Sequence, residues 1–512
     1  MNGCGRAAAP MLARPARHPP PHPTPPHPPQ YACFRSGFDR DVDDTRAVWF
    51  GVEHVVDEWV ARRWTRDDVR AAAAFWSRHR APGATPFPFP EALLRRVVDE
   101  CGGWFPVTIR ALPAGTVVHP HVPLFTVAAA GAFAPLATWL ETVLTHAWYG
   151  SAVATLARRA RDAVEAAFDR SVDGGARHPL LPSRLHDFGF RGATCVQQAV
   201  VGGAAHLLSW DGSDTAVAAA AAQALNASRP VASSIPATEH SVMMAWPDEA
   251  GALGALVAAH GGGIHACVLD TRDYGAALAT LVPRFAPAQQ AAGGHFVLRP
   301  DSGDPVEAVL AGLKAAERAF GVDLNSKGFK VIRGASVIQG DGVNLQTITV
   351  ILDAIMDAGF AAQCVAFGMG GALLQRVHRD TLTFATKLCR VAHPPIGGGG
   401  EASVESWDCM KSPAGDASKA SLPGALAVVR GPDGVLTAVR ARDAGGRDEL
   451  ETVWACGPVK GRPPPPLFSD LKAALDAQWR ATPRAADAVD PRLRAWAAEV
   501  RAAGGRKRSE GV

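Results

Sequence analysis

Short apolar runs that end in a carboxylate or a glycine turn, each followed by a helical pattern, constrain this chain more than any other feature. Residues 264–269 end at Asp270, 296–298 end at Arg299 and Asp301, 336–338 lead to Asp341, and 364–367 lead to Gly368-Met369-Gly370-Gly371. After Asp301 a helix is expected with Asp304 as N-cap, Pro305 as first helical residue and Glu307 completing a capping-box-like start. Further helices are expected over 345–358 and after Gly371. Strand, polar loop and helix in repetition favour a parallel α/β barrel or an open α/β sheet. In a barrel the carboxyl ends of the strands converge on one rim, so Asp270, Asp301, Asp341 and Gly370 are expected in one pocket.

A chain of 512 residues is too long for one comfortable core and predicts more than one domain. We read 1–45 as a disordered or divergent tail, 46–175 as an N-terminal α/β or α+β domain and 176–395 as the barrel. Residues 396–512 then complete the N-terminal domain with strands, loops and helices. In the first region, 48–64, 65–79, 136–148 and 152–168 read as helices, and 105–110 and 124–127 as strands. Near the end, strands are expected at 425–429 and 435–439 around Pro432-Asp433-Gly434. A capped helix follows at 469–479, and 506–509 reads as a solvated basic tail.

Composition excludes some classes. A formal charge of +3 gives no nucleic-acid footprint, and no apolar stretch is long enough for a membrane span. The 9 cysteines are dispersed, with no CxxC pair. Cys195, Cys267, Cys364 and Cys389 read as buried thiols of a reducing compartment. Proline and histidine fill residues 1–30, which lack the apolar content to fold. Arg6, Arg14 and Arg17 precede the first acidic residue, Asp39, so organellar targeting stands beside a cytoplasmic location.

Polar clusters sit where the pattern places strand ends: Leu185-His186-Asp187-Phe188-Gly189-Phe190-Arg191-Gly192 and Ser234-Ile235-Pro236-Ala237-Thr238-Glu239-His240-Ser241. There is no Walker A loop. Gly368-Met369-Gly370-Gly371 lacks its lysine and hydroxyl, yet exposed N–H groups at such a junction can cradle a phosphate. Arg379 and Lys387 are expected about two and four turns further along the following helix.

Residues 48–390 resemble the nicotinamide phosphoribosyltransferase family. The resemblance is carried by His186 to Gly192, Gly212-Ser213-Asp214-Thr215, Pro236 to Ser241, Arg299 to Gly303, Gln339-Gly340-Asp341-Gly342 and Ala366 to Gly371, in that order. It implies an irregular β/α barrel phosphoribosyltransferase domain and transfer from 5-phosphoribosyl-1-pyrophosphate to nicotinamide. Phe188 is then a wall of the base site, and Asp214 the acceptor for the carboxamide, with Ser234 in the same binding set. Arg191 and Arg299 surround base and pyrophosphate. Asp301, Gly340 and Asp341 bind ribose hydroxyls or organise Mg²⁺-bound substrate, with no direct metal ligand assigned. Gly370 and Gly371 form the phosphate loop, with Arg379 and Lys387 as further donors. His240 is the nucleophile phosphorylated by ATP, with Asp270 as its partner, and the working unit is a homodimer with shared sites.

The family opens with an Asp-Ser-Tyr-Lys segment that this chain lacks; Tyr31 and Phe34 are the aromatics available there. Ala385 stands where the family has a phosphate-contacting serine. Two other readings stand beside this one: a nicotinate phosphoribosyltransferase, against which Asp214 argues, and a weakly active dimeric sensor or scaffold for NAD metabolites.

Overall fold

The computed structural model describes residues 30–79, 83–84, 88–226, 229–393, 405–416, 419–462 and 464–509. Most of the proline-rich segment and Gly397 to Gly400 therefore lie outside the described residues. The chain divides into two compact units. One comprises Met1–Ala152, Arg379–Pro465 and Ala474–Val512, the other Val153–His378 and Pro466–Ala473. Among the described residues no helix is long and apolar enough to cross a membrane.

In the first unit an antiparallel five-stranded sheet runs in the order Ala385–Leu388, Gln30–Cys33, Phe125–Ala129, Val107–Ala111, Glu451–Ala455. The segment read as a tail thus enters a strand at Gln30. Tyr31 and Phe34 are core residues, each 1% exposed. The Tyr31 hydroxyl accepts the Leu422 N–H at 2.7 Å, and Phe34 packs edge-on against Trp49 and Phe384. Neither is placed as a free stacking aromatic.

Several local expectations change here. The helix expected over 48–64 is a strand, Ala47–Trp49, followed by helical turns over Val52–Val55 and Val56–Val60. Three consecutive apolar residues, all buried, pair there with Thr116–Val118. The expected helix 136–148 is interrupted into Pro135–Trp139 and Glu141–Leu144. The basic end is solvent-exposed as expected but is not a free tail: Arg506–Arg508 adds a strand beside Glu405–Cys409, and Arg506 lies 4.9 Å over the Trp407 ring.

The second unit is built on a six-stranded parallel sheet. In chain order its strands are β1 (Leu185–Asp187), β2 (Gly212–Ser213), β3 (Ile264–Val268), β4 (His295–Arg299), β5 (Ala335–Gln339) and β6 (Val365–Met369). In space they run β2-β1-β6-β5-β4-β3, every pair parallel. Strands covered on both faces read as continuous apolar runs, which is why 264–269 and 364–367 were legible. The sheet curls. Ser233 exchanges backbone bonds with the β2 edge (Ser213 N to Ser233 O, 3.0 Å; Ser233 N to Asp211 O, 2.7 Å). Thr238 N and Pro236 O bond Ala266 of β3 at 3.1 and 2.9 Å. One irregular segment therefore spans the two sheet edges and closes the ring, giving the expected irregular β/α barrel.

Ala266, Val297, Ile338 and Ala366, from successive strands β3 to β6, form an inner cluster capped by Phe188 and Ile235. Helices cover the outside. Pro305–Phe320 starts as expected, with the Asp304 carboxylate accepting the Val306 and Glu307 N–H groups at 3.0 Å. It buries Ala308, Val309, Leu313, Ala316 and Phe320. Gly312 makes room on this helix, because a Cβ there would lie 2.6 Å from the Tyr274 hydroxyl and 3.1 Å from Val337 of β5. Phe296 and Phe367 are wholly buried, and truncating either to alanine should cost roughly 3–5 kcal/mol. Of the thiols, Cys267, Cys364 and Cys389 are buried. Cys195 is exposed, because it occupies the N-cap of the helix Val196–Leu207.

Candidate active site

Strands β1 to β5 each deliver a polar or aromatic group to the carboxyl end of the ring, and β6 is followed by glycines. Arg299 closes β4, and its side chain is only 6% exposed. Nη2 donates to Asp301 Oδ2 at 3.1 Å and Nη1 to Glu239 Oε1 at 3.3 Å. The guanidinium sits 5.4 Å from the centre of the Phe188 ring, where the ring's electron-rich face attracts it. Phe188 follows β1, anchored by its N–H to Met369 O at 3.0 Å.

Two glycines make room for this group. A Cβ on Gly368 would come within 2.1 Å of the Phe188 ring. One on Gly340 would lie 3.0 Å from Asp301 Oδ1, 3.3 Å from Phe188 and 3.5 Å from Arg299 Nε. Asp301, Gly340, Phe188 and Arg299 are thus one contiguous cluster drawn from β1, β4 and β5.

Asp214 follows β2, and its N–H bonds Asp187 O at 3.0 Å. The parallel register pairs Asp187 with Ser213, which sets Asp214 level with Phe188. Its exposed carboxylate accepts the Ser234 hydroxyl. An accepting carboxylate level with an aromatic ring can take a hydrogen-bond donor on a flat group stacked there.

His240 begins the short helix His240–Met244. Its Nε2 donates to Asp270 Oδ1 at 3.0 Å, and Nδ1 lies 3.9 Å from Asp301 Oδ2. With Nε2 as the donor, the lone pair of a neutral ring is on Nδ1. Asp270 is 4% exposed. Burial would raise its carboxyl, but bonds from the Ser302 hydroxyl (2.5 Å), His240 and the Asp301 N–H (3.0 Å) hold it below its ordinary value. A fixed carboxylate behind an imidazole that is 41% exposed is an arrangement for nucleophilic or general-base chemistry.

The remaining expectations divide. Arg191 is exposed in the turn Phe190–Gly192, and Asp341 is exposed after β5. Gly370 and Gly371 open a helix as expected, but Gly371–Leu374 is a single turn. Arg379 and Lys387 are therefore not on it, and both belong to the first unit. Arg379 lies in the turn Arg379–Thr381 and pairs with Asp380 at 2.8 Å. Lys387 is on the strand Ala385–Leu388, its ammonium donates to Thr386 O at 2.6 Å, and burial lowers its pKa. Ala385 is a buried residue of that same strand. Glu239, Ser302 and Asp187, which were not singled out, make bonds in the cluster. Each lies inside a motif already recognised, beside a residue that was chosen.

Among the described residues no group of three His, Cys, Asp or Glu side chains is arranged to hold a metal. Asp301 and Asp341 offer hard carboxylate oxygens suited to a Mg²⁺ ion that arrives on phosphates and keeps waters.

A curled parallel sheet with an Arg–Asp–aromatic cluster on its carboxyl rim defines a phosphoribosyltransferase-type domain. Residues 183–435 match the family model described as the nicotinate phosphoribosyltransferase (NAPRTase) family. A nicotinamide phosphoribosyltransferase of Xanthomonas campestris pv. campestris is 38% identical over 426 residues, spanning 80% of this chain and 87% of that protein. One from Acinetobacter baylyi is 29% identical over 454 residues, spanning 81% and 86%. The crystal structure of nicotinate-nucleotide pyrophosphorylase from Pyrococcus furiosus shares the fold, with a TM-score of 0.55 and 14% identity over 89% of this chain and 90% of that one. The chain belongs to the superfamily of nicotinate and nicotinamide phosphoribosyltransferases. It is an enzyme of phosphoribosyl transfer acting on a pyridine-nucleotide precursor.

Proposed function

We propose that the base is nicotinamide, transferred from 5-phosphoribosyl-1-pyrophosphate to form nicotinamide mononucleotide and pyrophosphate. The observation that carries this reading is the exposed Asp214 carboxylate, held by Ser234 level with Phe188. A carboxamide N–H₂ donates to that carboxylate, whereas the carboxylate of nicotinate would face a like charge. The names of the relatives from Xanthomonas and Acinetobacter support the same choice.

Phe188 stacks the pyridine ring and Asp214 orients it so that the ring nitrogen faces C1 of the ribose. A nitrogen–C1 bond forms as the C1–oxygen bond breaks, and pyrophosphate departs with the electron pair. The attacking nitrogen carries no proton, so no base is needed. Arg299 meets negative charge gathering on the leaving group, with Arg191 available from the neighbouring turn. Mg²⁺, when bound with substrate, supplies positive charge to the pyrophosphate oxygens. Asp301 and Asp341 would hold it or the ribose hydroxyls, and the backbone at Gly370 and Gly371 the 5′-phosphate.

ATP is the coupling substrate in this reading. His240 Nδ1 attacks the γ-phosphate, ADP leaves, and water later cleaves the phosphohistidine; Asp270 holds the ring throughout. Homodimerisation belongs to the same reading. Directly after His240, Val242, Met244 and Trp246 are 45%, 73% and 43% exposed, an apolar group suited to a partner surface.

The test is an assay with labelled nicotinamide or nicotinate, 5-phosphoribosyl-1-pyrophosphate and Mg²⁺, with and without ATP. Nicotinamide should be preferred, ATP should raise turnover, and His240→Ala should abolish that rise. Preference for nicotinate would overturn the choice of base, and binding without turnover would favour a sensor.

A further inference from the structure

We propose that Asp187 is a positioning residue of the pyridine subsite, tying the turn that presents Phe188 to the strand end that presents Asp214. The inference rests on the reading of that subsite given above.

Asp187 is the last residue of β1 and is wholly buried, so it does not itself touch a ligand. Its Oδ1 accepts the Gly189 N–H at 2.7 Å, closing a side-chain turn around Phe188. Its backbone carbonyl accepts the Asp214 N–H at 3.0 Å. Both walls of the subsite are therefore referred to one residue. Gly189 is confined from the other side too, because a Cβ there would lie 2.5 Å from Leu374.

The surroundings do not explain a carboxylate on structural grounds. Oδ2 faces the helix Val196–Leu207 at Gly203, where a Cβ would come within 2.9 Å, and Thr215 lies alongside. Thr215 is near enough to favour the charged form, but neither Oδ2 nor Thr215 Oγ1 closes a hydrogen bond of good geometry among the described residues. An incompletely paired buried carboxylate costs stability. Burial pushes the Asp187 carboxyl up to about 6. The Gly189 N–H and Thr215 pull it down, and the charge of Asp214 adds to the rise. Asp214 is the charged group acting on it; the helices Val196–Leu207 and Ala216–Ala224 face it with Gly203 and with the Thr215 entry. An ionised Asp187 accepts the Gly189 N–H more strongly than a neutral one, so the turn should loosen as pH falls through that value.

The experiment compares wild type, Asp187→Ala and Asp187→Asn across pH 5 to 8, with separate KM values for base and phosphoribosyl donor. Asp187→Ala should raise KM for the base by about tenfold or more, the effect of losing one charge-assisted bond, and leave KM for the donor unchanged. Asp187→Asn keeps an oxygen for Gly189 but not its charge, so it should stand between wild type and Asp187→Ala, near the level wild type reaches in acid. It should also lack the wild-type fall in kcat/KM for the base below about pH 6. Equal changes in both KM values, or an acid limb retained in Asp187→Asn, would overturn the proposal. If Asp187→Ala does not fold, the pH profile of Asp187→Asn decides. Wild type that turns over neither pyridine base would instead sink the reading of the subsite itself.

Discussion

His240 and Asp270 are joined by a 3.0 Å bond from the imidazole Nε2 to a carboxylate that solvent scarcely reaches. Ser302 and the Asp301 N–H occupy the other carboxylate oxygen, so Asp270 has one orientation available to it. Asp270→Asn should slow labelling of the protein by γ-³²P-ATP by about 10- to 100-fold, the usual range for a supporting carboxylate. Labelling at the wild-type rate would show that the carboxylate does not support His240.

The ring of Phe188 rests where the side chain of residue 368 would be. Gly368→Ala forces the ring away or strains the strand, at a cost of about 1–3 kcal/mol for overpacking. Thermal unfolding should register that cost, and KM for the base should rise. Gly340→Ala, whose added methyl meets its neighbours at 3.0 Å and beyond, should have the milder effect. The reverse ranking would contradict the packing described.

Asp214→Asn removes the charge that repels an acid substrate while keeping the side chain's shape. The ratio of kcat/KM for nicotinamide to that for nicotinate should fall by about tenfold or more, equivalent to roughly 1.4 kcal/mol. An unchanged ratio would place base selection elsewhere.

His206 links stability to pH. It is wholly buried, stacks against Trp210, and donates from Nε2 to Gly212 O at 3.0 Å, holding the strand that leads to Asp214. Burial drives its pKa down from 6.5 to about 3, against the pull of the Gly212 carbonyl. Because the folded value is depressed, the stabilisation is present above 6.5 and is lost as pH falls toward 3. Denaturant unfolding should weaken by about 2 kcal/mol between pH 6.5 and 5 on account of this residue. The slope should be shallower in His206→Gln, and identical slopes would exclude His206 as the titrating group.

The barrel was legible because parallel strands shielded on both sides need continuous apolar residues, and their ends need the polar groups that 270, 301 and 341 supply. Capping chemistry at Asp304 and Pro305 fixed a helix start to the residue. What local pattern could not supply was partnership across distance. The register that sets Asp214 beside Phe188 depends on β1 and β2 pairing. Likewise, the chain leaves its helix after Leu374 and carries Arg379 and Lys387 into the other unit. Tyr31 and Phe34 show a related limit: an aromatic in or beside a short strand looks the same in sequence whether a ligand or a protein core will cover it. Among the residues overlooked, Ser302 and Asp187 touch other protein groups, and nothing in spacing separates such a residue from its neighbour.

The splice at 233–238 carries Ser234 and leads directly into His240, so the seam of the ring and the reactive rim are the same stretch of chain. With both margins of the sheet occupied there, neither is left as a template for a strand from another molecule. A chain that has not yet sealed its seam has neither a finished sheet nor a finished catalyst.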